Sequence, residues 1–224
     1  MIRRALSALA VLMLLAGCGG AAGEGRGTAQ LWVTRDRGAE LLVDAEVEAG
    51  QTLMRALASK ADVKTRYGGR YVQSVNGIEG SLRKQRDWFW FVNGYEGDRS
   101  AASYRLQDGD VAWLDYRAWQ REGEARVVVG AFPEPFLHGY AGKTRTAVVR
   151  YDGGQARRAS RISVLVGAED VAALGTPVPD GANVLEVRTG PPRLQAELRG
   201  QTAGDAVRFV LSGFPVYKRR YRVP

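Results

Sequence analysis

Few side chains in this sequence could do covalent or acid–base chemistry at neutral pH. Its 224 residues hold one histidine, His138, and one cysteine, Cys18. A nucleophile–imidazole site would have to use His138, and no Gly-x-Ser-x-Gly elbow accompanies it. One imidazole and one thiol make no metal set by His/Cys spacing, which leaves only carboxylates. Gly142-Lys143-Thr144 ends like a phosphate-binding P-loop, but the glycine due five positions earlier is Leu137. Asp108 and Asp110 flank Gly109 in what reads as a tight turn, where Asp side chains accept backbone N–H bonds. The sequence therefore predicts no catalytic residue, no metal ligand and a protein that is not an enzyme. His138 lies in Phe132-Pro133-Glu134-Pro135-Phe136-Leu137-His138-Gly139, which reads as a stiff, extended loop because each proline fixes φ and removes a donor. There it is expected to be a hydrogen-bonding loop residue and a candidate contact residue.

The densest information lies between Tyr71 and Tyr116. Val-Asn-Gly-x-Glu-Gly occurs at residues 75–80 and again at 92–97, with Trp88-Phe89-Trp90-Phe91 between the copies. Asn-Gly is a strong turn signal because both residues tolerate positive φ, so Asn76, Asn93, Gly94 and Gly109 are expected to make turns. Upstream, residues 30–34 and 39–47 alternate as a hairpin with its turn at 36–38. Thr52 can cap a helix running to Lys60, and residues 63–67, 71–75, 88–92 and 111–116 read as strands. Trp88 and Trp90 face one way on their strand while Phe89 and Phe91 face the other. An aromatic strand covered on both faces is expected to be central, with the helix on one side. The other side is left to the second domain, a partner or a ligand.

Arg3 and Arg4, then an apolar run over residues 5–15, have the order of a secretory signal. That run is shorter than the roughly 20 residues a membrane span needs. Leu15-Ala16-Gly17-Cys18 resembles the lipobox of bacterial lipoproteins, which implies cleavage before Cys18 and lipidation of its sulfur. Residues 1–17 are thus read as a signal peptide and residues 18–29 as a lipidated, Gly-rich, flexible tether. The expected address is extracytoplasmic, on the membrane.

Charge divides the rest. Residues 24–124 hold 15 Lys+Arg against 16 Asp+Glu, residues 125–224 hold 15 against 8, and all five Trp fall in the first block. The expected fold class is α+β: an N-terminal domain over residues 30–122 and a smaller, basic α/β domain over 123–224. In the second, strands are expected at 127–131, 146–151, 161–167, 184–189, 207–212 and 216–223, and helices at 170–174 and 193–199. The basic end, Lys218-Arg219-Arg220-Tyr221-Arg222, suits a solvated sheet edge or anionic lipid headgroups; the extracytoplasmic address argues against nucleic acid.

The series Tyr71-x-x-Ser-Val-Asn-Gly, then Trp88-Phe-Trp-Phe-Val-Asn-Gly, then Tyr104-x-Leu-x-Asp-Gly-Asp-Val-Ala-Trp-Leu-Asp-Tyr resembles a bacterial domain of unknown function. That domain is similar to the C-terminal β-domain of transcobalamin and intrinsic factor. The resemblance covers residues 30–117 and implies a β-grasp (ubiquitin-like) fold and an extracytoplasmic binding role. It implies no required cofactor, a cobalamin-like small-molecule ligand, and a membrane transporter as partner. The large helical domain that supplies much of the cobalamin pocket in transcobalamin has no counterpart here. The family pattern maps onto Tyr71, Asn76, Trp88, Trp90, Asn93, Gly94, Tyr95, Asp108, Gly109, Asp110 and Trp113. Trp88, Trp90, Tyr95, Arg99 and His138 are the candidate ligand contacts, Tyr95 and Arg99 because they sit on a turn expected to be exposed. The alternative function is a structural lipoprotein that docks protein partners through sheet edges and the Pro-rich loop.

Overall fold

Period-two alternation builds the first hairpin. Leu31 and Val33 enter the main core while Trp32 joins a second cluster on the opposite face, as successive side chains of a strand must. The computed structural model of the chain describes residues 27–119 and 126–213. In it β1 (Thr28–Arg35) pairs antiparallel with β2 (Glu40–Glu48). Their turn holds Asp36, Arg37 and Gly38 at positive φ. The buried Asp115 carboxylate secures it, accepting from Arg37 N at 2.9 Å and Gly38 N at 3.2 Å.

Thr52 caps α1 (Leu53–Ala58), its Oγ1 accepting from Arg55 N at 3.3 Å, and the helix sinks Leu53, Ala56 and Leu57 into the core. The helix ends two residues before the predicted Lys60, with Ser59 as its C-cap. Next come β3 (Val63–Arg66), β4 (Tyr71–Val75) and the two-residue β5 (Ile78–Glu79), a small antiparallel sheet. The aromatic strand is β6 (Arg86–Val92), followed by the two-residue β7 (Tyr95–Glu96) and by β8 (Val111–Ala118).

The first large sheet has the order β2-β1-β8-β6-β7, with β1 and β8 parallel. The aromatic strand is covered on both faces, as expected. Trp88 and Trp90 lie on the main core, whereas Phe89 and Phe91 lie with Trp32 and Trp113 on the other. Its predicted central position needs correction: β8 is central, and β6 has only the short β7 beyond it. Aromatic density marks burial, and β8 is buried along almost its whole length without matching that density. Val128 and Ala131, from the following segment, cover the second face.

That segment departs from its predicted form. In place of a strand over 127–131 there is one bridge from Val127 to Tyr95 and a 3₁₀ turn at Val129–Ala131. In place of an extended loop over 132–139 there is the short helix α2 (Glu134–Leu137). Pro135 sits in its first turn, where a missing N–H costs no intrahelical bond. Phe132 and Phe136 pack on Phe209 with ring centroids at 5.6 and 5.3 Å, so apolar burial decides the conformation.

The remaining elements are β9 (Ala147–Tyr151), α3 (Ala156–Leu165), β10 (Asp170–Ala173), β11 (Asn183–Arg188), β12 (Arg193–Leu198) and β13 (Val207–Ser212). They form a second sheet, β10-β9-β11-β13-β12, parallel except for β12. Three expectations are corrected here. Residues 161–167 fall mainly in α3, because Ala159, Ile162 and Val166 share one helical face against the core. Residues 170–174 form a strand on β9 instead of a helix. Residues 193–199 form β12, whose Leu194, Ala196 and Leu198 alternate inward. The class is α+β in the broad sense, mostly sheet with three short α-helices among the described residues. One hydrophobic core includes residues of both large sheets. No helix among the described residues is long and apolar enough to cross a membrane. Cys18, the tether up to residue 26, the boundary near residue 123 and the basic strand expected at 216–223 lie outside the described residues.

Candidate functional site

The two Val-Asn-Gly turns share a backbone and differ in surroundings. Asn76 and Gly77 have φ of 49° and 76°, and Asn93 and Gly94 have φ of 50° and 87°, which suits Asn-Gly. Asn76 is exposed and accepts from Asp62 N at 2.9 Å. Asn93 is buried completely. Its Nδ2 donates to Asp110 Oδ1 at 2.7 Å and to Gly139 O at 2.9 Å, and its Oδ1 accepts from Val111 N at 2.8 Å. The second turn therefore ties β6 to β8 and both to the segment after α2.

Asp110 keeps the turn role its spacing predicts, accepting from Gln107 N at 2.8 Å, while Asp108 accepts from Thr28 N at 3.0 Å. Asp110 also accepts from Tyr104 OH at 3.3 Å. Burial raises its pKa, against these hydrogen bonds, which favour the anion. Tyr104 OH accepts in turn from Ala141 N at 3.1 Å. From there four aromatic rings run in series: Trp90 to Tyr104 at 5.5 Å, Tyr104 to Tyr140 at 5.1 Å, and Tyr140 to Tyr95 at 5.7 Å. Tyr140 ends in the Asp98 carboxylate, to which its hydroxyl donates at 2.7 Å. Burial raises the pKa of Tyr104 and Tyr140, and pushes Tyr95 up to about 12. All three hydroxyls stay protonated near neutral pH.

Tyr140 of this ladder lines a groove between the first sheet and the loops of the second. One part, about 350 Å³, lies between residues 96–98 with Arg126 and residues 198–203. It meets a wider cleft of about 670 Å³ at Thr202 and Ala203, where Arg99, Tyr140, Lys143 and Arg145 form the wall. Arg99 forks onto Asp98 with bonds of 2.7 and 3.0 Å, and this pairing holds the Asp98 carboxyl below its usual range. Arg145 is fastened by Gly204 O at 2.5 Å and Gly181 O at 3.1 Å, and it pairs with Asp205 at 3.4 Å. Arg126 donates to Gln201 O. Asp205 folds its loop by accepting from Gln201 N and Thr202 N, both at 2.9 Å, and those N–H groups hold its pKa down. Lys143 is exposed and forms no ion pair with any described residue. The groove is thus a polar surface of mixed charge, with Arg99, Arg126, Lys143 and Arg145 beside Glu96, Asp98 and Asp205, and with Tyr140 in its wall; Lys143 is the cation there left to meet a negatively charged ligand.

The predicted contact residues separate. Arg99 lines the groove, while Trp90 packs on the main core behind Gly97. A Cβ on Gly97 would lie 2.0 Å from Trp90 Cζ2, so the indole rests on bare backbone. Tyr95 is 1% exposed, which corrects the expectation of exposure for that residue, whereas Asp98 and Arg99 of the same turn are exposed. The returning chain closes over Tyr95, with Glu96 N donating to Arg126 O and Val128 N to Gly94 O, each at 2.9 Å. Trp88 stands apart and buried, donating to Ile78 O at 2.9 Å and packing on Tyr116. His138 also lies away from the groove. Its Nδ1 is 2.6 Å from Oε2 of the buried Glu134, which raises the imidazole pKa. Among the described residues no group of three or more His, Cys, Asp or Glu could hold a metal ion. Tyr140, Lys143 and the 201–205 loop line the groove without having been expected contacts. Their only sequence signals are Gly142-Lys143-Thr144 and the Gly-bounded polar run Gly200-Gln-Thr-Ala-Gly-Asp205.

Residues 50–118 match the family described as Domain of unknown function (DUF4430). The match begins after the β1–β2 hairpin, ends with β8, and takes in the motifs between Tyr71 and Tyr116 that carry the resemblance. Among solved structures, a candidate metal binding protein from Ruminococcus gnavus is similar over 42% of this chain and 98% of its own, at 17% identity and a TM-score of 0.33. Haptocorrin, in its complex with Cbi, is similar over 47% of this chain and 28% of its own, at 14% identity and a TM-score of 0.37. This chain therefore spans under a third of haptocorrin's length. A sequence comparison with curated proteins finds no match.

Proposed function

We propose that this chain is a membrane-anchored extracytoplasmic lipoprotein whose groove between the two large sheets binds a small anionic molecule without transforming it. It serves uptake of that molecule, with a membrane transporter as partner. The observation that carries the binding role is the polar groove beside Tyr140, where the exposed Lys143 forms no ion pair with any described residue. Lipid attachment at Cys18 rests on the lipobox-like Leu15-Ala16-Gly17-Cys18. The transcobalamin-like motifs support a β-grasp first domain and place cobalamin-like molecules in the panel to be tested. A hairpin, a helix, and a last strand running parallel to the first at the sheet centre support that fold. The alternative is docking of protein partners through sheet edges and the Pro-rich loop; Phe132, Glu134 and Phe136 of that loop are core residues, which favours the groove over the loop as the binding surface.

Titration calorimetry of the full chain against cobalamin and small phosphate- or carboxylate-bearing molecules tests the reading. A ligand is expected whose affinity falls about tenfold or more in the Arg99→Gln, Lys143→Gln double variant, since a charge-assisted hydrogen bond contributes about 1.5–3 kcal/mol. Binding by none of the panel, or binding untouched by that variant, overturns it.

A further inference from the structure

At one end of the small sheet two turns stand side by side. One joins β3 to β4 over residues 67–70, and the other joins β5 to β6 over residues 80–85. In the β4–β5 pairing Ser74 lies opposite Glu79, and Gly80 N donates to Gln73 O at 3.0 Å. The chain leaving β5 therefore runs back along β4 towards Tyr71. Tyr71 OH then hydrogen-bonds Asp87, at the start of β6. The two turns consequently project from the same end.

Their tips carry apolar groups in water. Tyr67 is 79% exposed and Leu82 is 81% exposed. Tyr67 is held at φ 52°, a conformation that costs a bulky residue energy, and it leans edge-on against the half-exposed Tyr71. Cations surround them. Residues 63–86 contain Lys64, Arg66, Arg70, Arg83, Lys84 and Arg86 against the single acid Glu79. Arg66 pairs with Glu79 at 3.1 Å, and Arg86 pairs with Asp36. Arg70, Arg83 and Lys84, in the turns themselves, form no ion pair with any described residue.

We propose that these two turns dock the folded body onto an anionic lipid bilayer, with Tyr67 and Leu82 entering the interfacial zone and Arg70, Arg83 and Lys84 meeting lipid phosphates. Cations alone would suit any polyanion. An aliphatic leucine at a protruding tip gains nothing from a phosphate backbone, but it gains by entering a headgroup–acyl boundary, where a tyrosine ring is also favoured. The cations are spread over two separate turns, which suits a fluid surface of mobile anionic headgroups. The inference is independent of the groove and of its ligand.

The test uses the full chain carrying Cys18→Ser, with Leu82→Cys bearing an environment-sensitive fluorophore. A second protein carries the label at Val164→Cys, a position 83% exposed on α3. On vesicles of phosphatidylglycerol and phosphatidylcholine, a blue shift is expected at position 82 and none at 164. On phosphatidylcholine alone, neither label should respond. Changing Arg70, Arg83 and Lys84 together to Gln should lower the docked-to-free ratio roughly 100-fold, about fivefold per cation near the surface. Equal shifts at both labels would assign vesicle binding to another part of the chain. That result overturns the proposal, as does a shift that ignores lipid charge, no shift at all, or a larger shift on adding duplex nucleic acid in place of vesicles.

Discussion

Replacing Asn76 and Asn93 in turn by alanine separates what a turn motif contributes from what its burial contributes. Both residues hold the same place in Val-Asn-Gly-x-Glu-Gly, at φ of 49° and 50°. Alanine therefore incurs the same left-handed strain at each site, about 1–2 kcal/mol, and the strain cancels in the comparison. Asn76→Ala loses one bond, to Asp62 N, at an exposed site; a bond of that kind contributes about 0.5–1.5 kcal/mol. Asn93→Ala strands three buried groups: Asp110 Oδ1, Gly139 O and Val111 N. Each unsatisfied buried group costs about 1–3 kcal/mol, and partial rearrangement brings the expected excess over Asn76→Ala to about 2–4 kcal/mol. With a urea slope of about 2–3 kcal/mol per molar for a chain of this size, the Asn93→Ala midpoint should lie about 1 M or more below that of Asn76→Ala. Tryptophan emission is the natural probe, because all five Trp fall in the first block. Asn93→Gly removes the strain but not the lost bonds, so it should recover only about 1 kcal/mol. If the two alanine variants melt within about 0.3 M of each other, the buried network is not holding the sheets to the α2 segment and the reasoning fails.

Two further outcomes follow from the geometry. The single imidazole, His138, should titrate by NMR above its ordinary value of 6.5, because Glu134 favours the charged form. A raised folded-state pKa means stabilisation that is fully present below the unfolded value and lost as pH rises through the folded one. His138→Gln should flatten the fall in stability over that window, and a midpoint at or below the ordinary value would contradict the Glu134 pairing. Gly97→Ala would set a methyl 2.0 Å from Trp90 Cζ2. It should cost about 1–3 kcal/mol of overpacking and red-shift the tryptophan emission, whereas an unchanged spectrum and melting curve would mean the indole does not rest there.

The local devices were legible in the sequence. The 36–38 turn, the Thr52 cap, both Asn-Gly turns and the Asp108–Asp110 turn depend on φ preferences and short-range hydrogen bonds, which travel with residue type. Residues 126–213 were less so. Pro133 and Pro135 argued for an extended loop, yet Phe132 and Phe136 found Phe209, about 75 positions away, and the segment became a short buried helix. α3, β10 and β12 were misassigned because short apolar runs suit helix or strand alike until a neighbouring strand decides.

The candidate groove shows the same division. Arg99 drew notice from its turn and the tryptophans from their aromatic strand, but nothing local brings Tyr104 to 5.1 Å from Tyr140, or buries Tyr95 under residues 126–128. By itself the sequence determined the turns, the caps, the aromatic strand and the family motifs, because each depends on neighbours within a few residues. Which of two identical Asn-Gly turns became buried, and which of the aromatic side chains line a groove, was decided only by tertiary structure. Those outcomes depend on apolar surface and buried polar groups meeting across long sequence separations, where no local preference reaches.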